Sequence, residues 1–145
     1  MLIYAKPLFQ LHLKVIHFNR VIDRLRNGLE WSFFAVFDGH GGDEVARTAA
    51  DKLLPIFLNQ KEVKDITNSI QYEPESIEKA LRESFIELDA ELHRLMKKYR
   101  RFAGSTCTAC LITPGHLFTC NLGDSRTLIV RQETGSLYFT LVAYT

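Results

Sequence analysis

No stretch of this 145-residue chain is apolar for long enough to cross a membrane. A spanning helix needs roughly 18 unbroken apolar residues. The richest candidate, Met1 to Phe18, is interrupted by Lys6, Pro7, His12 and Lys14. It also lacks the early charge, clean apolar block and small-residue cleavage site of a signal peptide. The expectation is no membrane partner, no targeting segment, and a place in the cytoplasm or nucleus. Charge of one sign is lacking too: 18 Lys and Arg face 17 Asp and Glu, a formal net charge of +1. A balance so near zero argues against nucleic acid or anionic lipid as the main partner. Cysteine is scarce and odd in number, with Cys107, Cys110 and Cys120 all inside apolar runs. Cys107 and Cys110 form a C-x-x-C, but on a strand positions three apart point to opposite faces. No second C-x-x-C or histidine pair completes a zinc set, so buried free thiols are expected. There are no internal repeats and no low-complexity linkers.

What is present is one domain's worth of chain with 46% hydrophobic residues, enough for a core. Residues 1–30 carry no motif and read as a divergent N-terminal segment. Val15, Ile16, Phe18, Val21, Ile22 and Leu25 fall near helical spacing, which predicts an amphipathic helix ending at Asn27-Gly28. Phe33 to Phe37 is a wholly apolar run, expected as a strand buried on both faces. A helix follows Gly42, with Val45, Ala46, Ala49, Leu53, Leu54 and Phe57 on one face. Asp43 and Glu44 suit its positive end, and Pro55 is expected to kink or end it. Residues 59–73 are polar and mixed and read as a surface loop. From Pro74, the spacing of Ile77, Leu81, Phe85, Leu88, Leu92, Leu95 and Tyr99 predicts a long helix packed on a sheet. Lys97, Lys98, Arg100 and Arg101 suit its C-terminal dipole better than they suit a phosphate site. The period then changes to that of strands: Thr106–Thr113, His116–Asn121, Ser125–Arg131 and Leu137–Val142, separated by Pro114-Gly115, Gly123-Asp124 and Thr134-Gly135. This predicts an α+β fold with a four-stranded antiparallel meander.

The chemistry is concentrated where the first strand ends, at Asp38-Gly39-His40-Gly41-Gly42. That order delivers a carboxylate and an imidazole at the mouth of a rigid element, a setting suited to metal-assisted chemistry. Taken singly, Asp38-Gly39 is a turn dipeptide, His40 a structural histidine and Gly123-Asp124 a hairpin turn. Together with Gly104-Ser105-Thr106 and Asn121-Leu122-Gly123-Asp124-Ser125-Arg126, in that order, they form a pattern. The chain from about Trp31 to Arg131 resembles the metal-dependent protein serine/threonine phosphatases of type 2C, the PPM family, whose "GST … GDSR" block it matches. Ser84 to Asp89 resembles the family's helix leading into that block.

The resemblance implies part of an α-β-β-α sandwich over residues 31–145, corresponding to the N-terminal half of a catalytic domain. It implies hydrolysis of phosphoserine and phosphothreonine in phosphoproteins, with two Mg²⁺ or Mn²⁺ ions activating water. In those terms Asp38 is the carboxylate bridging both metals, the Gly39 carbonyl a further ligand, His40 the general acid, and Asp124 a ligand of a third, weaker metal site. One carboxylate cannot hold two divalent cations. The family's adjacent acidic pair, preceded by an arginine, has no counterpart: Arg20-Val-Ile-Asp23 has the wrong spacing, and no acid follows Glu133. A second expectation therefore stands beside the enzyme: an inactive half-domain that binds a protein partner through exposed sheet edges.

Overall fold

The computed structural model describes residues 19–22, 31–66, 72–99, 102–133 and 136–142. The apolar run becomes β2 (Ser32–Val36), with Phe33, Phe34, Ala35 and the following Phe37 all buried. It pairs antiparallel on one side with β1 (Asn19–Ile22) and on the other with β5 (Cys107–Thr113). β5 pairs in turn with β6 (His116–Leu122) around the Pro114-Gly115 turn, giving the order β1-β2-β5-β6. The register aligns Phe33 with Leu111, Ala35 with Ala109, and Leu111 with Phe118. These side chains share one face and enter the hydrophobic core.

That face is covered by helices. α1 (Glu44–Asn59) buries all six positions expected from its spacing, Leu53 and Phe57 completely. Phe57 stacks on Phe33 with ring centroids 6.2 Å apart, joining helix to sheet. Truncating a phenylalanine so enclosed costs about 3–5 kcal/mol. α3 (Pro74–Tyr99) buries Ile77, Ala80, Leu81, Ser84 and Leu88. Beyond Leu88 its apolar stripe is only half-buried, and Tyr99 is exposed. The Ser84 hydroxyl is satisfied inside the core by donating to the Ala80 carbonyl at 2.6 Å. Lys52 and Glu91 form an ion pair between α1 and α3.

Four expectations are corrected. Asn19–Ile22 is a strand, not part of a helix; the rest of that proposed helix lies outside the described residues. Without β1 the β2 edge would leave its N–H and C=O groups unpaired, and this tertiary demand outweighs the helical spacing. Pro55 neither ends α1 nor sits against the core. It lies on the exposed face, while Leu53, Leu54 and Phe57 anchor the helix on both sides of the missing N–H. The supposed loop contains α2 (Lys61–Ile66), which buries Val63 and Ile66 and places Glu62 2.6 Å from Lys79 of α3. Two apolar residues at i, i+3 suffice for a helix this short to dock, and they leave little trace in composition.

The meander is also divided. β7 (Thr127–Glu133) and β8 (Ser136–Val142) pair with each other in a separate two-stranded sheet. Gly123 takes φ +87°, and residues 123–126 leave the plane of the larger sheet instead of folding back beside β6. No described helix is long and apolar enough to cross a membrane.

Candidate active site

Strand β2 aims the chain at the site. Phe37 is 2% exposed and fixes the strand end, so the next residue, Asp38, emerges at the surface. Gly39 and His40 form the short strand β3, which pairs antiparallel with β4 (Gly104–Ser105): Gly39 opposite Ser105, His40 opposite Gly104. The Thr106 amide adds a hydrogen bond to the Asp38 carbonyl at 2.9 Å. The Asp-Gly-His turn is thus laced to the Gly104-Ser105-Thr106 block, although 64 positions separate Gly104 from His40 in the sequence.

Glycine is required where these backbones meet. Gly41 has φ +72°, and a Cβ there would lie 2.5 Å from the Phe102 carbonyl oxygen. At Gly104 a Cβ would press on the His40 imidazole, 2.8 Å from Cε1 and nearer still to Nε2. The ring therefore lies directly over Gly104. Asp43 stands at the N-cap position of α1 without a side-chain cap bond, and its carboxylate accepts from Arg47 Nε at 2.7 Å.

The second block is joined to the first by side chains. Thr106 Oγ1 and Ser125 Oγ are 2.7 Å apart, and Gly123 packs against the Thr106 methyl group. Asn121, just before that turn, accepts from Thr108 Oγ1 at 2.6 Å. Asp124 is exposed on the turn between them. Structure thereby places Asp38, Gly39 and His40 in one turn, and ties the turn that bears Asp124 to it through Thr106. Thr106 and Ser125 were not singled out from the sequence; the signal was their position inside the two motif blocks.

Behind His40 a cavity of about 790 Å³ runs between α1 and α3, walled by Phe37, Val45, Leu88, Leu92 and Met96. Its floor includes Cys107, whose thiol is pushed upward by burial, with a smaller contribution from Cys120. Burial also raises Cys110 to about 11 and Cys120 to about 12, the latter with help from Cys110. All three cysteines are free. Cys107 is buried while Cys110 on the opposite strand face is only partly so, in keeping with structural thiols.

A divalent metal pair does not fit the described residues. Hard cations need several oxygen ligands. Among the described residues, no group of three His, Cys, Asp or Glu side chains is placed to hold an ion.

Comparison with known proteins agrees with the motif blocks. The protein phosphatase 2C family model matches residues 10–140. Protein phosphatase 1A of Bos taurus is 37% identical over 119 residues, covering 79% of this chain and 30% of that protein. The Homo sapiens protein phosphatase 1A is 38% identical over 113 residues, covering 75% and 29% respectively. A crystal structure of serine-threonine phosphatase 2C from Toxoplasma gondii superposes with a TM-score of 0.72 at 21% identity. It covers 79% of this chain and 40% of that one, and shows the same mixed fold of helices and antiparallel sheet. The chain thus spans about 30% of the length of the curated relatives it matches. On the match of its family model and these relatives, the chain belongs to the protein phosphatase 2C family.

Proposed function

We propose that this chain carries the Asp38–His40 part of a protein serine/threonine phosphatase site, acting on phosphoserine and phosphothreonine in phosphoproteins. The observation that supports it most is the lacing of three separate blocks, Asp38 to Gly42, Gly104 to Thr106 and Gly123 to Arg126, into one constellation. Each block has a turn dipeptide or a hydroxyl that would be ordinary alone. Their convergence is what a reaction site requires.

Hydrolysis of the phosphoester adds a water oxygen to phosphorus and breaks the bond to the seryl or threonyl oxygen. The departing alkoxide must take up a proton. His40 is exposed, and its ring lies over Gly104 with no side chain between them. In this reading it donates that proton. Asp38 contributes a carboxylate at a fixed backbone position. Mg²⁺ or Mn²⁺ would supply charge neutralisation and an activated water, but the described residues hold too few ligands for it, and no step is assigned to metal here.

The test is phosphate release from a phosphothreonine peptide by the purified 145-residue chain, with Mn²⁺ or with EDTA. Turnover is expected to fall at least tenfold in His40→Gln and in Asp38→Ala, roughly the contribution of a lost acid or positioned carboxylate. A folded chain without turnover would sink the reading. It would favour instead the inactive half-domain that binds protein partners. One observation suits that second reading: the outer edge of β6 pairs with no strand among the described residues, and Leu117 and Leu122 are 46% and 52% exposed beside it.

A further inference from the structure

We propose that the Thr106–Ser125 hydroxyl pair is a clasp that positions the Asp124 turn against the Asp38–His40 turn, making Thr106 and Ser125 positioning residues of the site. The proposal deepens the phosphatase reading and rests on it for its catalytic meaning.

Thr106 lies between β4 and β5 and touches both turns with different parts of itself. Its backbone N–H donates to the Asp38 carbonyl at 2.9 Å. Its hydroxyl is 2.7 Å from that of Ser125. Its methyl group lies under Gly123, where an added Cβ would come within 3.0 Å of Cγ2. A β-branched side chain has few χ1 choices, so fixing the methyl also fixes the hydroxyl. A further hydrogen bond, from Ser105 Oγ to the Thr106 carbonyl at 2.7 Å, stiffens the same backbone.

The need for such a clasp follows from the topology. β6 and β7 belong to different sheets, so among the described residues the link carrying Asp124 has no ladder bonds to a neighbouring strand. Gly123, at φ +87°, makes the turn but supplies no side chain to anchor it. The Asn121 amide donates to the Gly123 carbonyl at 3.4 Å, a long bond that holds only the near side of the turn. On the far side of Asp124 the anchor is the Ser125 hydroxyl. Both hydroxyls are partly buried, which strengthens the bond between them relative to one in water.

The test is a double-mutant cycle in the full chain with Thr106→Val, which keeps the shape and removes the hydroxyl, Ser125→Ala, and both together. Backbone order parameters of Gly123, Asp124 and Ser125 are read by NMR. The wild type is expected near 0.85, the rigid range, and each single variant nearer 0.6. The double variant should be no looser than either single one, because one bond is lost in all three. Thr106→Ser, which retains the hydroxyl but loses the methyl that fixes it, should lie between wild type and Thr106→Val. Unchanged order parameters in the single variants, or a turn already loose in the wild type, would overturn the clasp.

In a catalytically active chain, kcat should fall about tenfold in Thr106→Val and Ser125→Ala with KM nearly constant, and Thr106→Ser should recover part of it. Loss of order with kcat unaltered would refute the positioning role. A wild-type chain without turnover refutes the phosphatase reading alone, because the order parameters still decide whether the clasp exists.

Discussion

Replacing Gly104 by alanine separates the fold from the site more sharply than any other single change. Gly104 has no left-handed φ, so its backbone accepts a side chain without strain. Alanine at an unstrained glycine position stabilises by about 0.4–1 kcal/mol through the unfolded state. The added methyl cannot share space with His40, however. Contact at 2.8 Å to Cε1, against about 3.4 Å for an ordinary approach, obliges the ring to retreat by more than about half an ångström. His40 is exposed and free to swing outward, so the fold loses little. If His40 is the proton donor proposed above, a displacement on this scale costs about 10- to 100-fold in rate. The expected result is a urea midpoint equivalent to wild type within about 1 kcal/mol, followed through the buried Trp31, the one tryptophan of the chain. Alongside it, the His40 imidazole resonances should move, and on the phosphatase reading kcat should fall about 10- to 100-fold. If stability drops by about 2 kcal/mol while the imidazole signals stay in place, the ring does not lie over Gly104 as described.

Gly41→Ala should behave in the opposite way. With φ +72° and a backbone oxygen at 2.5 Å from the new Cβ, it should destabilise by about 1–3 kcal/mol, read as a lower urea midpoint with an unchanged slope. Thr127→Val should stabilise by about 1 kcal/mol in the same assay, because the buried Thr127 hydroxyl has no hydrogen-bond partner among the described residues and the methyl removes its desolvation penalty. The raised thiols predict alkaline sensitivity. Cys110 and Cys120 titrate near 11 and 12 when folded, against 9.0 for an ordinary thiol, so folding favours the protonated form. Their contribution is complete below pH 9 and is lost as pH rises from there toward 11 and 12; denaturation midpoints should therefore decline over that window, and less steeply in Cys110→Ala. A thiol reagent at pH 8 should label the folded chain slowly and all three cysteines in urea.

Long periodic elements were legible from the sequence, and elements set by distant partners were not. The six apolar positions of α1 and, on α3, Ile77, Leu81 and Leu88 are buried where the spacing placed them. So is the Phe33–Phe37 run, because an uninterrupted apolar segment has few other places to go. Asn19–Ile22 was misread because its residues suit a helix as well as a strand, and pairing with β2 decides between them. α2 was lost because two apolar residues in six give no period. The C-terminal hairpins were seen as hairpins, but whether two hairpins share a sheet depends on the link between them. At the candidate site, motif order singled out Asp38, Gly39, His40 and Asp124. The bonds that gather them, from Thr106 to Asp38 and to Ser125, join residues far apart in sequence, and no local pattern announces them.

The register of the larger sheet sets a timetable for synthesis. β2 emerges from the ribosome well before the strand on its inner side, β5, which begins at Cys107, 71 residues after β2 ends at Val36. At roughly 5–20 residues per second, that interval lasts about 4–14 s. During it, of the described strands, β1 alone can pair with β2, while α1 and α3 can form locally within microseconds. The nascent chain therefore passes through a stage with its helices made and its most apolar strand half paired. Any chaperone that attends this protein during translation should bind there, and should let go once Leu111 has reached Phe33.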